Sequence, residues 1–309
     1  MANTEGRNQT SITEFVLLGF RDLPELLALL FLLFLVIYVV TLNILIVALV
    51  VADRHFHTPM YFFLGNLSCL ETCYTSTLLP RVLASFLTGD NTISVSGCMT
   101  QFYFVSFFAA AECYLLAVMS YDRYSAICKL LHYAALMNTR FCLSLAAGSW
   151  INGFLAGIIV IVLMLQLTFC GPNKNDHFCC ESTEMLNLCC NGTNQIELVI
   201  TILAAIFTLP PLVLTMMSYV CIIFTILRIP STAGRQKAFS TCSSHLIVVA
   251  IFCGTLITVY LLPKTNTLRD LNKVFFICYA ILTPMANPFI CSLINHEVKE
   301  ALKKLSVSV

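Results

Sequence analysis

Two acids, Glu71 and Glu112, stand in runs that are otherwise almost wholly apolar, "FFLGNLSCLETCYTS" and "FAAAECYLLAVMSYDRY". A carboxylate taken out of water is costly to keep unless something pairs with it. Two such acids in neighbouring helices can hold a cation, share a proton or accept hydrogen bonds from Asn and Ser. The other reading is polar glue between helices with no ligand. Asn43 and Asn287 lie in two further apolar runs and complete a candidate cluster. Eleven residues beyond Glu112 comes Arg123, between Asp122 and Tyr124. Eleven steps of 100° close to within about 20° of full turns, so Glu112 and Arg123 share one helix face, roughly 16 Å apart. Val105, Ala109, Leu116 and Met119 fall on the same stripe. Charges on such a stripe face the interior of a bundle or a wet cavity. Spacing alone leaves a second reading for Arg123, as an anchor at the interface.

The elements that must carry these residues are long and apolar. Of 309 residues, 59% are hydrophobic and 11% charged, where a soluble domain carries about a quarter charged. Seven segments can each span a bilayer as a helix: Leu26–Val50, Pro59–Leu79, Met99–Ile127, Cys142–Leu165, Ile196–Leu227, Ala238–Leu262 and Leu271–Leu293. None alternates in the manner of a membrane barrel strand, which leaves helices to satisfy the backbone in lipid. The expected fold is an all-α membrane protein, a seven-transmembrane helix bundle. Residues 1–25 form an extracellular N-terminus, 26–293 the transmembrane domain, and 294–309 a cytoplasmic helix and tail. In that tail Val298, Leu302 and Leu305 line one side of a short amphipathic helix.

Basic residues set the orientation. With the N-terminus outside, ten Lys and Arg fall inside and seven outside. The chain is therefore expected in the plasma membrane with its C-terminus in the cytoplasm. The first 25 residues lack the basic start and apolar run of a cleaved leader, so the first span is expected to direct insertion. Asn8 and Asn191 head sequons on the outer side; Asn66 heads a third inside the second span, away from the glycosylating enzyme. Six of the sixteen cysteines fall outside: Cys98, Cys170, Cys179, Cys180, Cys189 and Cys190. An oxidising compartment favours disulfides, with a metal site at His177 the alternative, and spacing cannot choose among the pairings.

Further features sit on the last two spans. His245, Val249, Cys253, Leu256 and Tyr260 recur at helical spacing on the sixth. Pro284 and Pro288, with Asn287 before the second, bend the seventh, as a hinge or a static kink. No zincin, hydrolase or phosphate-loop motif is present, so the chain is not expected to be an enzyme. A seven-helix transporter or ion-translocating protein using Glu71 and Glu112 is the alternative class, although no internal repeat supports it.

Seven spans with "SYDRY" ending the third and "NPFIC" in the seventh resemble rhodopsin-like G-protein-coupled receptors. "HFHTPMYFFLGNLS", "AVMSYDRYSAIC", "SYVCIIFTILRI", "KAFSTCSSHL" and "PMANPFI", in that order, are similar to the signature blocks of vertebrate olfactory receptors, and the likeness covers Asn8 to Leu302. The resemblance implies a receptor for a small volatile odorant. It also implies a heterotrimeric stimulatory G-protein, a rise in cAMP, membrane lipid as the surroundings and no nucleic-acid partner. Asp122, Arg123 and Tyr124, with Tyr219, His245, Asn287, Pro288 and Cys291, match positions of the G-protein-coupling network. Asn43, Glu71, Glu112 and Asn287 match the mid-membrane polar cluster, where the family tends to hold a cation or water; no other cofactor or metal is implied. Trp150 matches a packing landmark. The matching cysteines imply Cys98–Cys180 and Cys170–Cys190 disulfides, leaving Cys179 and Cys189 over.

The departures from the family pattern are specific. Cys291 stands where the family has Tyr, Cys253 where it has an aromatic, Glu71 for Asp and Leu42 for Gly. Loss of a Tyr hydroxyl at Cys291 predicts altered or weaker activation with the fold intact. For the ligand, the third-span stripe offers Val105, Ser106 and Ala109, and the sixth-span face offers Cys253, Leu256 and Tyr260. Resemblance adds Leu203, Phe207 and Ala280. These walls are apolar, with Ser106 and Tyr260 as polar handles and no charge, which suits a small, neutral, mostly apolar molecule.

Overall fold

Helix α3 (Val95–Cys128) packs against four of the other long helices. The computed structural model describes residues 14–17, 35, 40, 42–52, 58–88, 90, 92–169, 174–175, 180, 185–186, 188–189 and 194–260. Along these run α1 (Leu42–Ala52), α2 (Pro59–Thr88), α3, α4 (Thr139–Met164), α5 (Asn194–Leu227) and α6 (Thr232–Tyr260). The expected seventh span and the cytoplasmic helix lie outside the described residues.

Local chemistry sets where the helices begin. Pro59 opens α2, where its missing N–H costs nothing. The Ser94 hydroxyl caps α3 by accepting from the Gly97 amide at 3.1 Å, and the Asn138 side chain caps α4 by accepting from Phe141 at 2.9 Å. The Ser231 hydroxyl accepts from the Gly234 amide at 3.2 Å where α6 starts. Several helices outrun their apolar segments: α2 continues past Leu79 to Thr88, α3 begins four residues before Met99, and α6 six before Ala238. Apolarity marks what lies in lipid, whereas caps mark where the helix starts.

Among the described residues, three helices are long and apolar enough to cross a membrane: Val95–Cys128, Thr139–Met164 and Gln195–Leu227. Their surroundings differ. Over its most apolar window α3 is 56% buried, against 28% for α4 and 17% for α5. Ile151, Leu155 and Val162 on α4, and Val213, Leu214 and Met217 on α5, are all exposed. Apolar side chains on an outer surface of this extent suit a hydrocarbon environment. Helix α3 instead packs against α2, α4, α5 and α6.

The α3–α4 contact is built on small residues. Gly153, Ala156 and Gly157 lie buried along α4. A Cβ on Gly153 would sit 2.6 Å from the Phe107 carbonyl oxygen and 2.7 Å from the Ala111 Cβ. The Trp150 indole donates to Asn66 Oδ1 at 3.2 Å, joining α4 to α2 and turning the in-span sequon residue toward the interior.

A three-stranded sheet, which no pattern in the sequence foretells, covers one end of the bundle. Strand β1 (Glu14–Leu17) lies between β2 (Thr92–Ser94), antiparallel, and β3 (Lys174–Asn175), parallel. Phe15 pairs with Ile93 in the ladder; its side chain is fully buried and meets the Phe169 ring edge-on at 5.3 Å. Strands of two to four residues carry too little alternation to be read from sequence.

Candidate functional site

Four groups of candidate residues lie along α3. At the end beneath the sheet, a disulfide joins Cys98 to Cys180, with Cα atoms 5.5 Å apart. The Cys180 amide donates to Gln101 Oε1 at 3.2 Å, so one covalent and one polar link hold the loop to α3. Cys189 is a free thiol that donates to the Met185 carbonyl at 3.2 Å. Burial pushes its pKa up to about 11, which favours the protonated thiol at neutral pH. Cys170, Cys179, Cys190, Asn8 and Asn191 lie outside the described residues.

Below the disulfide a cavity of about 80 Å³ opens between α3, α4 and α5, with Leu256 of α6 at its edge. Ser106, Ala109, Leu203, Phe207 and Leu256 line it. Val105 and Cys253 pack instead in the adjoining core with Phe108, Phe252 and Val249. The side chain of Tyr260, and all of Ala280, are not among the described atoms. Sequence reasoning missed the α4 wall, Ala156 and Val160, and the polar pair Cys113 and Thr208. The small-residue run along α4 was the available signal, since it lets that helix approach α3. Among the described residues no charged side chain lines the cavity.

At the depth of Cys113, the deep end of the cavity, Glu71 and Glu112 are buried at 1% and 2% exposure and their carboxyl groups face each other. Asn43, the third member of the expected cluster, is fully buried, and Asn287 lies outside the described residues. One Glu112 oxygen, Oε1, has no hydrogen-bond partner among the described residues. Two facing carboxyls with an orphaned oxygen suit a shared proton or a hard cation, both of which oxygen donors accommodate. Among the described residues no three His, Cys, Asp or Glu side chains gather as metal ligands.

At the far end of α3, Arg123 Nη2 donates to Asp122 Oδ2 at 2.8 Å. The Tyr133 hydroxyl, from the helical turn Tyr133–Leu136, donates to Asp122 Oδ1 at 2.8 Å. Asp122 is almost wholly buried, so both oxygens are satisfied by charge-assisted bonds. Burial, then the Asp122 carboxylate, pushes the Tyr133 phenol above its ordinary range, so it remains a donor at neutral pH. Sequence reasoning missed Tyr133 as well, because a Tyr eleven residues beyond Asp122 carries no periodic signal across a helix break.

Across from α3, the Tyr219 hydroxyl bonds His245 Nδ1 and the two rings stack. The Arg123 guanidinium lies close enough to act on both. Tyr219, Ile222, Ile226 and Cys242 form a buried cluster with Tyr124 and Leu246, so α3, α5 and α6 are packed together here. The Lys129 ammonium sits 5.7 Å over the Tyr124 ring. Pro288 and Cys291 lie outside the described residues.

Comparison with known proteins places this arrangement. A family model described as "Olfactory receptor" matches residues 30–308. The chain is 47% identical over 299 residues to human olfactory receptor 10A7, covering 96% of this chain and 95% of that one. It is 48% identical over 304 residues to human olfactory receptor 6B1, covering 98% and 97%. It is 45% identical over 300 residues to rat olfactory receptor 1f45, covering 96% of each.

Proposed function

The chain belongs to the olfactory receptor family, G-protein-coupled receptors rather than enzymes, and from that premise we propose how this member works. It binds a small, neutral, mostly apolar volatile in the cavity between α3, α4 and α5. It then engages a stimulatory olfactory-type G-protein, and cAMP rises. The observation that carries the reading is that one helix, α3, runs from the cavity wall at Ser106, past Glu112, to the Asp122–Arg123 pair.

The described arrangement suits the resting state. Arg123 is held by Asp122, and α6 is packed against α5 and α3 through Cys242 and Leu246. Ligand binding favours a state in which the inner end of α6 moves outward, exposing Arg123 and Tyr219 to the G-protein. A ligand that prefers this state by a few kcal/mol is sufficient. The proton or cation held between Glu71 and Glu112 leaves as the bundle switches. The chain lies in the plasma membrane with its N-terminus outside, Asn8 and Asn191 glycosylated, Cys170 bonded to Cys190, and residues 294–309 on the cytoplasmic surface.

The test is odorant-driven cAMP in cells displaying the full chain. Wild type responds, and Arg123→Ala with equal surface display does not. Ion flux that depends on Glu112 and needs no G-protein would instead establish the translocating alternative.

A further inference from the structure

Hydroxyls in apolar helices ordinarily turn back to the carbonyl one turn earlier. Ser120, Ser149, Thr201, Thr215 and Thr225 all do so here, each at 2.9 Å. The two hydroxyl-bearing residues that line the cavity, Ser106 and Thr208, make no such bond. Thr208 meets the Cys113 thiol, a weak partner, and Ser106 makes no hydrogen bond. Among the described residues these two hydroxyls are therefore the ones left available inside the cavity.

Their placement is as informative as their freedom. Ser106 and Cys113 are seven residues apart on α3, two turns that bring both to one face about 10 Å apart. Thr208 abuts the Cys113 end. Between the two handles the wall is Ala109 and Ala110 of α3, Ala156 of α4 and Ala204 of α5. Among the described residues the cavity is thus polar at its ends, apolar along its length and free of charge.

We propose that this cavity selects uncharged molecules carrying two oxygen functions, one met by Ser106 and the other by Thr208, across a short apolar spacer. The inference rests on the receptor reading above and narrows its ligand class. A charged group is disfavoured because no counter-charge lies among the described wall residues. A hydrocarbon fills the space but leaves both hydroxyls without an acceptor. A mono-oxygenated molecule satisfies one end only. With a hydrogen bond of about 2.8 Å at each end, the ligand's oxygens lie about 5–10 Å apart.

The experiment uses the full chain displayed on cells with a cAMP readout, and a homologous series of straight-chain diols beside the mono-alcohols of equal length. Potency among the diols passes through an optimum at one length. There the diol exceeds its mono-alcohol about tenfold, the worth of one hydrogen bond. Ser106→Ala and Thr208→Val each bring the diol down to the mono-alcohol's potency, while Ser106→Thr and Thr208→Ser, which keep the hydroxyl, retain the preference. Surface display is measured throughout, so a folding defect is seen separately. Equal potency of diols and mono-alcohols, or variants that weaken both series alike, overturns the two-point claim while leaving the receptor reading standing. Silence of properly displayed wild type toward both series and a broad odorant panel overturns the receptor reading and the proposal with it.

Discussion

In the proposed reading Asp122 is the residue on which the resting state turns. It is buried with one oxygen bonded to Arg123 and the other to Tyr133, and removal of either donor leaves a desolvated carboxylate oxygen. Hydrogen bonds to charged groups are worth about 1.5–3 kcal/mol. Tyr133→Phe removes the second bond and little else, since the ring is kept. If that bond holds the resting state, its loss frees Asp122 and loosens its hold on Arg123. Basal cAMP then rises several-fold, without ligand, at unchanged surface display. Unchanged basal signal in Tyr133→Phe would show that the turn merely packs beneath α3. The Asp122–Arg123–Tyr124 sequence was legible because the three residues are contiguous. Tyr133 was not, because its partnership depends on how the chain turns after Cys128.

Two glycines on α4 separate the element's intrinsic preference from its packing. Gly148 has nothing within 4 Å of where a Cβ would stand, whereas Gly153 would place one 2.6 Å from the Phe107 backbone oxygen. Gly148→Ala therefore gains only helix propensity, up to about 1 kcal/mol. Gly153→Ala forces α4 away from α3, at a cost of about 1–3 kcal/mol. The expected outcome is a raised or equal melting temperature for the first variant in detergent and a clearly lowered one for the second. Equal behaviour of the two would mean that α4 can shift freely on α3. Helix positions were readable because about twenty apolar residues must become a helix in lipid. The short strands were not, since Phe15 is fixed by Phe169 and Ile93 rather than by any periodic pattern of its own. The cavity's fourth-helix wall carried only a faint signal, the small residues Gly153, Ala156 and Gly157, while Val160 looks like any lipid-facing valine until α4 is seen to lie flush on α3.

Taken as one molecule, the bundle is fastened at its two ends in different ways. Beneath the sheet, the Cys98–Cys180 disulfide and the buried Phe15 secure the loops around a core that includes Met99, Phe102 and Met164. At the other end the helices are held by side-chain packing and a few hydrogen bonds, which can be remade. A covalent fastening suits the end that shapes the cavity, and a non-covalent one suits the end that opens in the proposed mechanism. Ile222 tests this division. It is fully buried among Tyr219, Ile226 and Cys242, where α5 meets α6. Ile→Ala in a packed core costs about 2–5 kcal/mol. If the cluster separates in the signalling state, most of that loss falls on the resting state alone. A shift of even about 2 kcal/mol changes the balance of the two states roughly thirtyfold. Ile222→Ala is therefore expected to raise basal cAMP and to lower the odorant concentration needed for half-maximal response, and adding Arg123→Ala abolishes both effects. Were the cluster equally packed in both states, the variant would lower surface display and leave basal signalling per displayed receptor unchanged. That outcome would place the opening elsewhere in the bundle.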